Sequence, residues 1–340
     1  MIKHLIYLSL VGLLILICSA FSTEFLTPLH FEVPKGWQNP KYDFKRNPLT
    51  EEGFQLGRKL FYDPILSRDS TISCASCHLQ QTGFTHVDHQ LSHGIDGKIG
   101  TRNSLALINL AWNKDFMWDG GVNNLEVQPL NPITNPVEMD ETLAHVIAKL
   151  NRNEKYKTLF AQVFGDSKIT SQRLLKALAQ FTVMLKSDNA KYDKVMRKEA
   201  TFAENEQRGY DLFKTNCASC HKEPLFKEDK FENNGLPIDE YLKDSGRMKI
   251  TGKQEDYLRF RIPTLRNIQF TFPYMHDGRF KTLKEVIKHY NSIGHNSNIS
   301  KELAKPMNLS ENDRVDLVAF LLTLTDKEFL FNDRFGFPKE

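Results

Sequence analysis

Apolar residues recur along the chain at helical spacing in several separate stretches, while the strict alternation of a half-buried strand is almost absent. Leu143, Val146, Ile147 and Leu150 follow the i, i+3, i+4, i+7 rule and predict a helix begun by Asp140. A second, opened by Thr170, buries Leu174, Leu175, Leu178, Phe181 and Leu185. Earlier, Thr50 is placed to cap a helix that runs through Phe61 and stops at Asp63-Pro64. The second half repeats the plan with a short helix ending in Leu212-Phe213 and helices near Thr282 to Asn291 and Ser310 to Leu324. In the first of these, Leu283, Val286, Ile287 and Tyr290 share one face, so the tyrosine points to the buried side, and Thr282 with Glu285 forms a capping box. The segments between carry no helical period. They are a proline-rich lead-in from Phe25 to Pro48, a loop from Leu79 to Asn103 holding Gly83, Gly94, Gly97 and Gly100, and a loop from Trp118 to Glu138. Long loops inside compact domains tend to carry function. The polar stretch from Ser187 to Glu206 marks the expected boundary between two helical domains.

Composition narrows the picture. With 340 residues, 40% apolar and 26% charged, the chain is long enough for two compact cores. A formal charge of +3 gives no electrostatic basis for a nucleic-acid partner. Residues 5–18 form a mostly apolar run behind Lys3 and His4, the length of an export-signal core and short of a membrane span. Ser19 and Ala20 supply the small residues a signal peptidase needs, so residues 1–22 are expected to be removed. An uncleaved anchor and lipidation on Cys18 stay open as rivals.

Cys18 is also the one cysteine of five that lies outside two near-identical pentapeptides, Cys74-Ala75-Ser76-Cys77-His78 and Cys217-Ala218-Ser219-Cys220-His221. That usage leaves no disulfide framework. C-x-x-C-H is the pattern for covalent haem attachment: two thiols add to the porphyrin vinyl groups and the adjoining imidazole ligates the iron. A zinc ribbon would bring its paired cysteines within about 20 residues of each other, and a thioredoxin-like pair would need neither the histidine nor the duplicate. The expected architecture is therefore mainly α, two cytochrome c-like haem domains packed together, spanning residues 23–195 and 196–340. Covalent haem attachment in bacteria takes place outside the cytoplasmic membrane, which agrees with export and a periplasmic location.

A wider set of motifs resembles one family over nearly the whole mature chain, in order. These are Leu56-Gly57-Arg58-Lys59-Leu60-Phe61-Tyr62-Asp63-Pro64, Gly100-Thr101-Arg102-Asn103-Ser104, Trp118-Asp119-Gly120, Asn135-Pro136-Val137-Glu138-Met139, Pro263-Thr264-Leu265-Arg266-Asn267 and Pro273-Tyr274-Met275-His276-Asp277-Gly278. They are similar to the bacterial dihaem cytochrome c peroxidases, a family that includes the MauG-like oxidases. The resemblance implies that the N-terminal haem, with His78 as proximal ligand, reduces peroxide. It places Glu138 and Gln128 at the family's distal glutamate and glutamine, where a carboxylate can take a proton from one peroxide oxygen and return it to the other. His93 matches an exchangeable sixth ligand of that iron, while His86 and His89 read as ordinary surface histidines. Trp118 matches the tryptophan between the haems. Asn103, with the carbonyls of Thr271 and Pro273, matches a calcium site.

His221 would be the proximal ligand of the C-terminal haem. The family's distal methionine is replaced here by Tyr290, as in MauG-like members, with Met275 as the competing ligand. Methionine ligation suits a peroxidase fed by a monohaem cytochrome c or a cupredoxin. Tyrosine ligation leans toward an enzyme that withdraws electrons from a protein substrate. Reduction of hydrogen peroxide to water is the leading expectation, with the MauG-like oxidase and a non-catalytic dihaem electron carrier as alternatives. The resemblance also leaves room for a homodimer.

Overall fold

A computed structural model of the chain describes residues 26–293, 298–304 and 306–339. The expected export signal and Cys18 lie outside the described residues, among which no helix is long and apolar enough to cross a membrane. The described residues form helices and long connections, with one antiparallel pair of two-residue strands among them, β1 (Phe231–Glu232) and β2 (Phe260–Arg261).

The first half is organised by α1 (Glu51–Tyr62) lying against α4 (Ser171–Val183). The Thr50 hydroxyl accepts from the Gly53 amide at 3.0 Å and starts α1; the Thr170 hydroxyl does the same for the Arg173 amide and starts α4. Between them come α2 (Leu143–Asn151) and α3 (Glu154–Phe164). The cap of α2 is Thr142, two residues later than the expected Asp140, which instead takes a left-handed conformation at φ 49°. Helix α3 was not anticipated, although Asn153 caps it and Gly165 ends it in the left-handed conformation. Phe54, Leu60, Phe61, Phe84, Phe160, Leu178 and Phe181 close one core around this crossing.

The second half repeats the device with α6 (Glu204–Asn216) against α8 (Glu311–Leu322), burying Phe213, Leu317, Phe320 and Leu321, and with α7 (Leu283–Asn291) alongside. The stretch expected as a boundary is itself folded. It contains α5 (Lys191–Met196), and its Tyr192 packs into the second core. The chain's end returns to the first half, where Phe329, Leu330 and Phe335 join the Phe54 core. In the lead-in, Phe31 and Trp37 pack on Trp112, with ring centroids 5.4 and 5.0 Å away.

Both helix crossings depend on a glycine. A methyl group on Gly57 would overlap the Ala177 carbonyl of α4, and one on Gly209 the Asp316 carbonyl of α8. Neither neighbour is a side chain that could swing away. Gly57→Ala and Gly209→Ala are each expected to cost about 1–3 kcal/mol, the usual range for overpacking, and to lower the urea midpoint followed by far-UV circular dichroism. A midpoint within error of the parent would show that the helices can separate freely.

Candidate haem sites and the distal carboxylate

Each pentapeptide follows the end of a core helix or a capped turn. Cys74–Cys77 forms one helical turn held by Ser73 and Ser76, whose backbone and hydroxyl groups bond reciprocally. Cys217 ends α6, its amide donating to the Phe213 carbonyl at 2.8 Å. In both sites the histidine lies beyond the turn with its Nδ1 facing a backbone carbonyl, Phe84 at 2.7 Å from His78 and Phe226 at 3.1 Å from His221. A carbonyl can only accept, so Nδ1–H donates and Nε2 keeps a free lone pair. Burial pushes both imidazoles down to about 4, so they stay neutral at physiological pH. An imidazole fixed in this tautomer is what a metal ligand requires.

None of the four cysteines of the pentapeptides is paired in a disulfide. Around the second pair opens a largely apolar cavity lined by Cys217, Cys220, His221, Leu265, Ile268, Leu283, Val286, Ile287, Met307, Leu317 and Leu321. Two thiols, one neutral imidazole and an apolar cleft fit a covalently attached porphyrin. At the first pair the same donor set is present, with buried thiols pushed up to about 12 at Cys74 and about 11 at Cys77.

The structure brings Glu138 to the first of these sites. Its Oε1 accepts from the Asn135 side-chain amide at 2.7 Å. Burial raises the carboxyl above the ordinary glutamate range, a shift the Asn135 bond only partly offsets. The Ile95 amide donates to the Glu138 carbonyl at 2.8 Å, and Gly94 leaves no room for a methyl group against the Glu138 backbone. The loop carrying His93 is therefore laid directly on Glu138, and the His93 carbonyl lies 3.3 Å from the Cys77 sulfur. Gln128 turns its amide toward the Met117 sulfur, 3.7 Å away, and no hydrogen bond joins it to Glu138 among the described residues.

Trp118 is buried between the halves, its indole N–H donating to the Asn103 carbonyl at 2.9 Å and its carbonyl accepting from Arg261 at 2.8 Å. The Asn103 amide nitrogen is spent on the Gln90 carbonyl at 3.0 Å, which leaves Oδ1 as its free acceptor end. Asn103, Thr271 and Pro273 line one wall of the cavity that holds the second pair of thiols. Tyr290 and Met275 both reach that cavity. The Tyr290 phenol is pushed up to about 12, chiefly by burial, and the Asn234 side chain donates to the Met275 sulfur at 3.3 Å.

Two features escaped the sequence. His86 is not a surface residue: it is 5% exposed, with its ring 5.0 Å from that of His93 and 5.3 Å from that of His89. It directly follows a turn that the Thr82 and Thr85 hydroxyls close by bonding to each other's carbonyls. The second feature is Arg102, which ties the halves together through Asp119 at 2.6 Å and, with two hydrogen bonds, Asp244 at 2.6 and 2.8 Å. Its motif was visible, but its partners are 17 and 142 residues away.

Comparison with known proteins agrees with this architecture. Residues 51–201 match the family described as di-haem cytochrome c peroxidase, and residues 206–325 match cytochrome c. Methylamine utilization protein MauG of Methylophilus methylotrophus is 37% identical over 302 residues, covering 84% of this chain and 88% of that protein. Cytochrome c551 peroxidase of Nitrosomonas europaea is 34% identical over 285 residues, covering 82% and 81%. A crystal structure of a MauG-like protein associated with microbial copper homeostasis superposes with a TM-score of 0.84 at 33% identity, over 91% of this chain and 99% of that one. Two cytochrome c domains carry haem c, and both named activities in the family are oxidoreductions. The chain belongs to the di-haem cytochrome c peroxidase family, which takes in both peroxidases and MauG.

Proposed function

We propose that the chain reduces hydrogen peroxide to water at the N-terminal haem, with electrons delivered one at a time through the C-terminal haem by a small donor such as a monohaem cytochrome c or a cupredoxin. The observation that carries the reading is Glu138, a carboxyl withdrawn from water beside Cys77 and steadied by Asn135. When bound, haem supplies the iron that takes peroxide and passes electrons. His78 and His221 would hold the iron through Nε2, their tautomers set by the Phe84 and Phe226 carbonyls. Glu138 accepts the proton of the near peroxide oxygen and hands it to the departing one, which needs the carboxylate form first and the acid form next. Gln128 supplies an amide near the same loop, and Trp118 bridges the halves. Asn103 Oδ1 with the carbonyls of Thr271 and Pro273 forms a set of hard oxygen donors suited to calcium. We place the two units at residues 23–195 and 196–340, and the mature protein outside the cytoplasmic membrane. The exchangeable sixth-ligand role that the resemblance implies for His93 is not used in this reading. Turnover of peroxide with reduced cytochrome c as donor tests the reading, and a protein that accepts electrons without consuming peroxide would be a carrier.

A second reading, a MauG-like oxidase of a protein substrate, is favoured by Tyr290, whose phenol shares the cavity with Cys217 and His221. Phenolate ligation stabilises oxidised iron against easy reduction. Tyr290→Phe is expected to shift the oxidised absorption and electron paramagnetic resonance spectra of one haem, whereas Met275→Leu leaves them unchanged. A methionine-to-iron charge-transfer band that disappears in Met275→Leu would assign the ligand to Met275 instead and favour the cytochrome-fed peroxidase.

A further inference from the structure

Three histidines that the proposed peroxide chemistry does not use converge on one point. The donor nitrogens of His86, His89 and His93 all lie within 4.8 Å of one another. The rings of His89 and His93 are 4.7 Å apart, and His86 closes the triangle. His86 is 95% buried, and the Nδ1 atoms of His86 and His93 are both buried without a hydrogen-bond partner. A buried ring nitrogen left unpaired costs stability, and two of them in one histidine cluster call for a partner.

We infer that His86, His89 and His93 form a binding site for a late first-row divalent cation of the zinc or copper kind. Three neutral imidazoles are a donor set of the borderline softness such ions prefer, and a tetrahedral ion would keep its fourth position for water. Nitrogen donors about 2.0–2.1 Å from a tetrahedral metal stand about 3.3 Å apart, so edges of at most 4.8 Å would draw in on loading. His89 is exposed and can make that movement, and it also gives the ion an entrance. The other two stand on braced backbone. His86 follows the Thr82–Thr85 turn, and His93 pairs with Ile99 in an antiparallel bridge whose flank is closed by Gly100 donating to Ser92 at 2.7 Å. The loop carrying His93 also rests on Glu138, so an ion here would fix the approach to the first haem site.

The test uses the haem-loaded protein, freed of adventitious metal by a chelator and dialysed against Zn2+ alone or Cu2+ alone. Elemental analysis normalised to iron is expected to find one zinc or copper for every two irons, with saturable binding by calorimetry. His89→Ala, at an exposed position that leaves the fold intact, should weaken binding by at least about 100-fold, since even an outer-shell partner of a metal site is worth 10–100-fold. His145→Ala, outside the triangle, should bind as the parent does. Less than half an equivalent retained, or equal binding by His89→Ala, overturns the inference. So does a His93→Ala variant whose low-temperature electron paramagnetic resonance spectrum shows one iron losing an imidazole while His86→Ala does not, because His93 would then belong to the haem.

Discussion

Glu138→Gln is expected to lower peroxide-dependent turnover by about 10²–10⁴-fold, the usual worth of a positioned general acid–base, with both haems still attached. Glutamine keeps the size of the side chain and can still hydrogen-bond to Asn135, but it can neither accept nor return a proton. The attachment residues Cys74, Cys77 and His78 owe their positions to the Ser73–Ser76 cap and the Phe84 carbonyl, so the substitution leaves them in place. Pigment content and the alkaline pyridine spectrum should therefore match the parent while steady-state turnover with reduced cytochrome c collapses. Turnover within about threefold of the parent would remove the carboxyl from the chemistry, since that is far below the range for acid–base groups.

The same residue sets an expected pH dependence. The first step needs Glu138 ionised, and burial raises its pKa above the ordinary value. As pH falls, protons reach this carboxyl earlier than they would reach an exposed glutamate, so kcat/KM should decline on the acid side with a midpoint above 4.5, the ordinary value. Asn135→Ala removes the bond that favours the charged form. It should move that midpoint further up while leaving activity on the plateau largely intact. A midpoint that stays fixed in this variant would detach the acid limb from Glu138.

What could be read in advance divides along a physical line. Helices with a local start signal were legible: the caps at Thr50, Thr170, Thr282 and Ser310 each operate within three residues of sequence, and each is found in place. Helix α3 carries the same kind of signal, with Tyr156, Phe160 and Val163 at i, i+4 and i+7 between local caps, and was legible in principle. The haem-attachment residues were legible because covalent chemistry demands a fixed spacing. The neutral tautomers of His78 and His221 were not, since the carbonyls that set them are found only once the chain has turned back. Asn234 had no signal at all. It lies in an aperiodic loop and gains meaning only by meeting Met275, 41 residues further along the chain. His86 likewise follows a turn closed by hydroxyls, and no hydrophobic period marks its burial.

The Pro263-Thr264-Leu265-Arg266-Asn267 motif was read as a family marker, and the structure gives it a physical task that yields the largest expected stability effect. Arg266 is fully buried and forms a two-pronged ion pair with Asp193, at 2.9 and 2.8 Å, while donating to the Pro224 carbonyl and lying over the Trp37 ring at 4.7 Å. Asp193 also accepts from the Ala190 amide and so starts α5. Next to it, Asn267 donates to the Ser187 hydroxyl and accepts from the Asp326 amide, which ties the segment before α5 to the start of the short helix Lys327–Leu330. Arg266→Met keeps much of the apolar stem but leaves Asp193 charged and buried without its partner. Breaking such a pair costs about 3–5 kcal/mol, and the urea midpoint should fall accordingly. The double variant Arg266→Met with Asp193→Asn removes the stranded charge while its amide can still accept from Ala190, so it should recover a substantial part of the loss. If the double variant is as unstable as the sum of the two singles, the damage comes from lost packing around Trp37 and Phe226, and the ion pair is not what holds this corner of the molecule together.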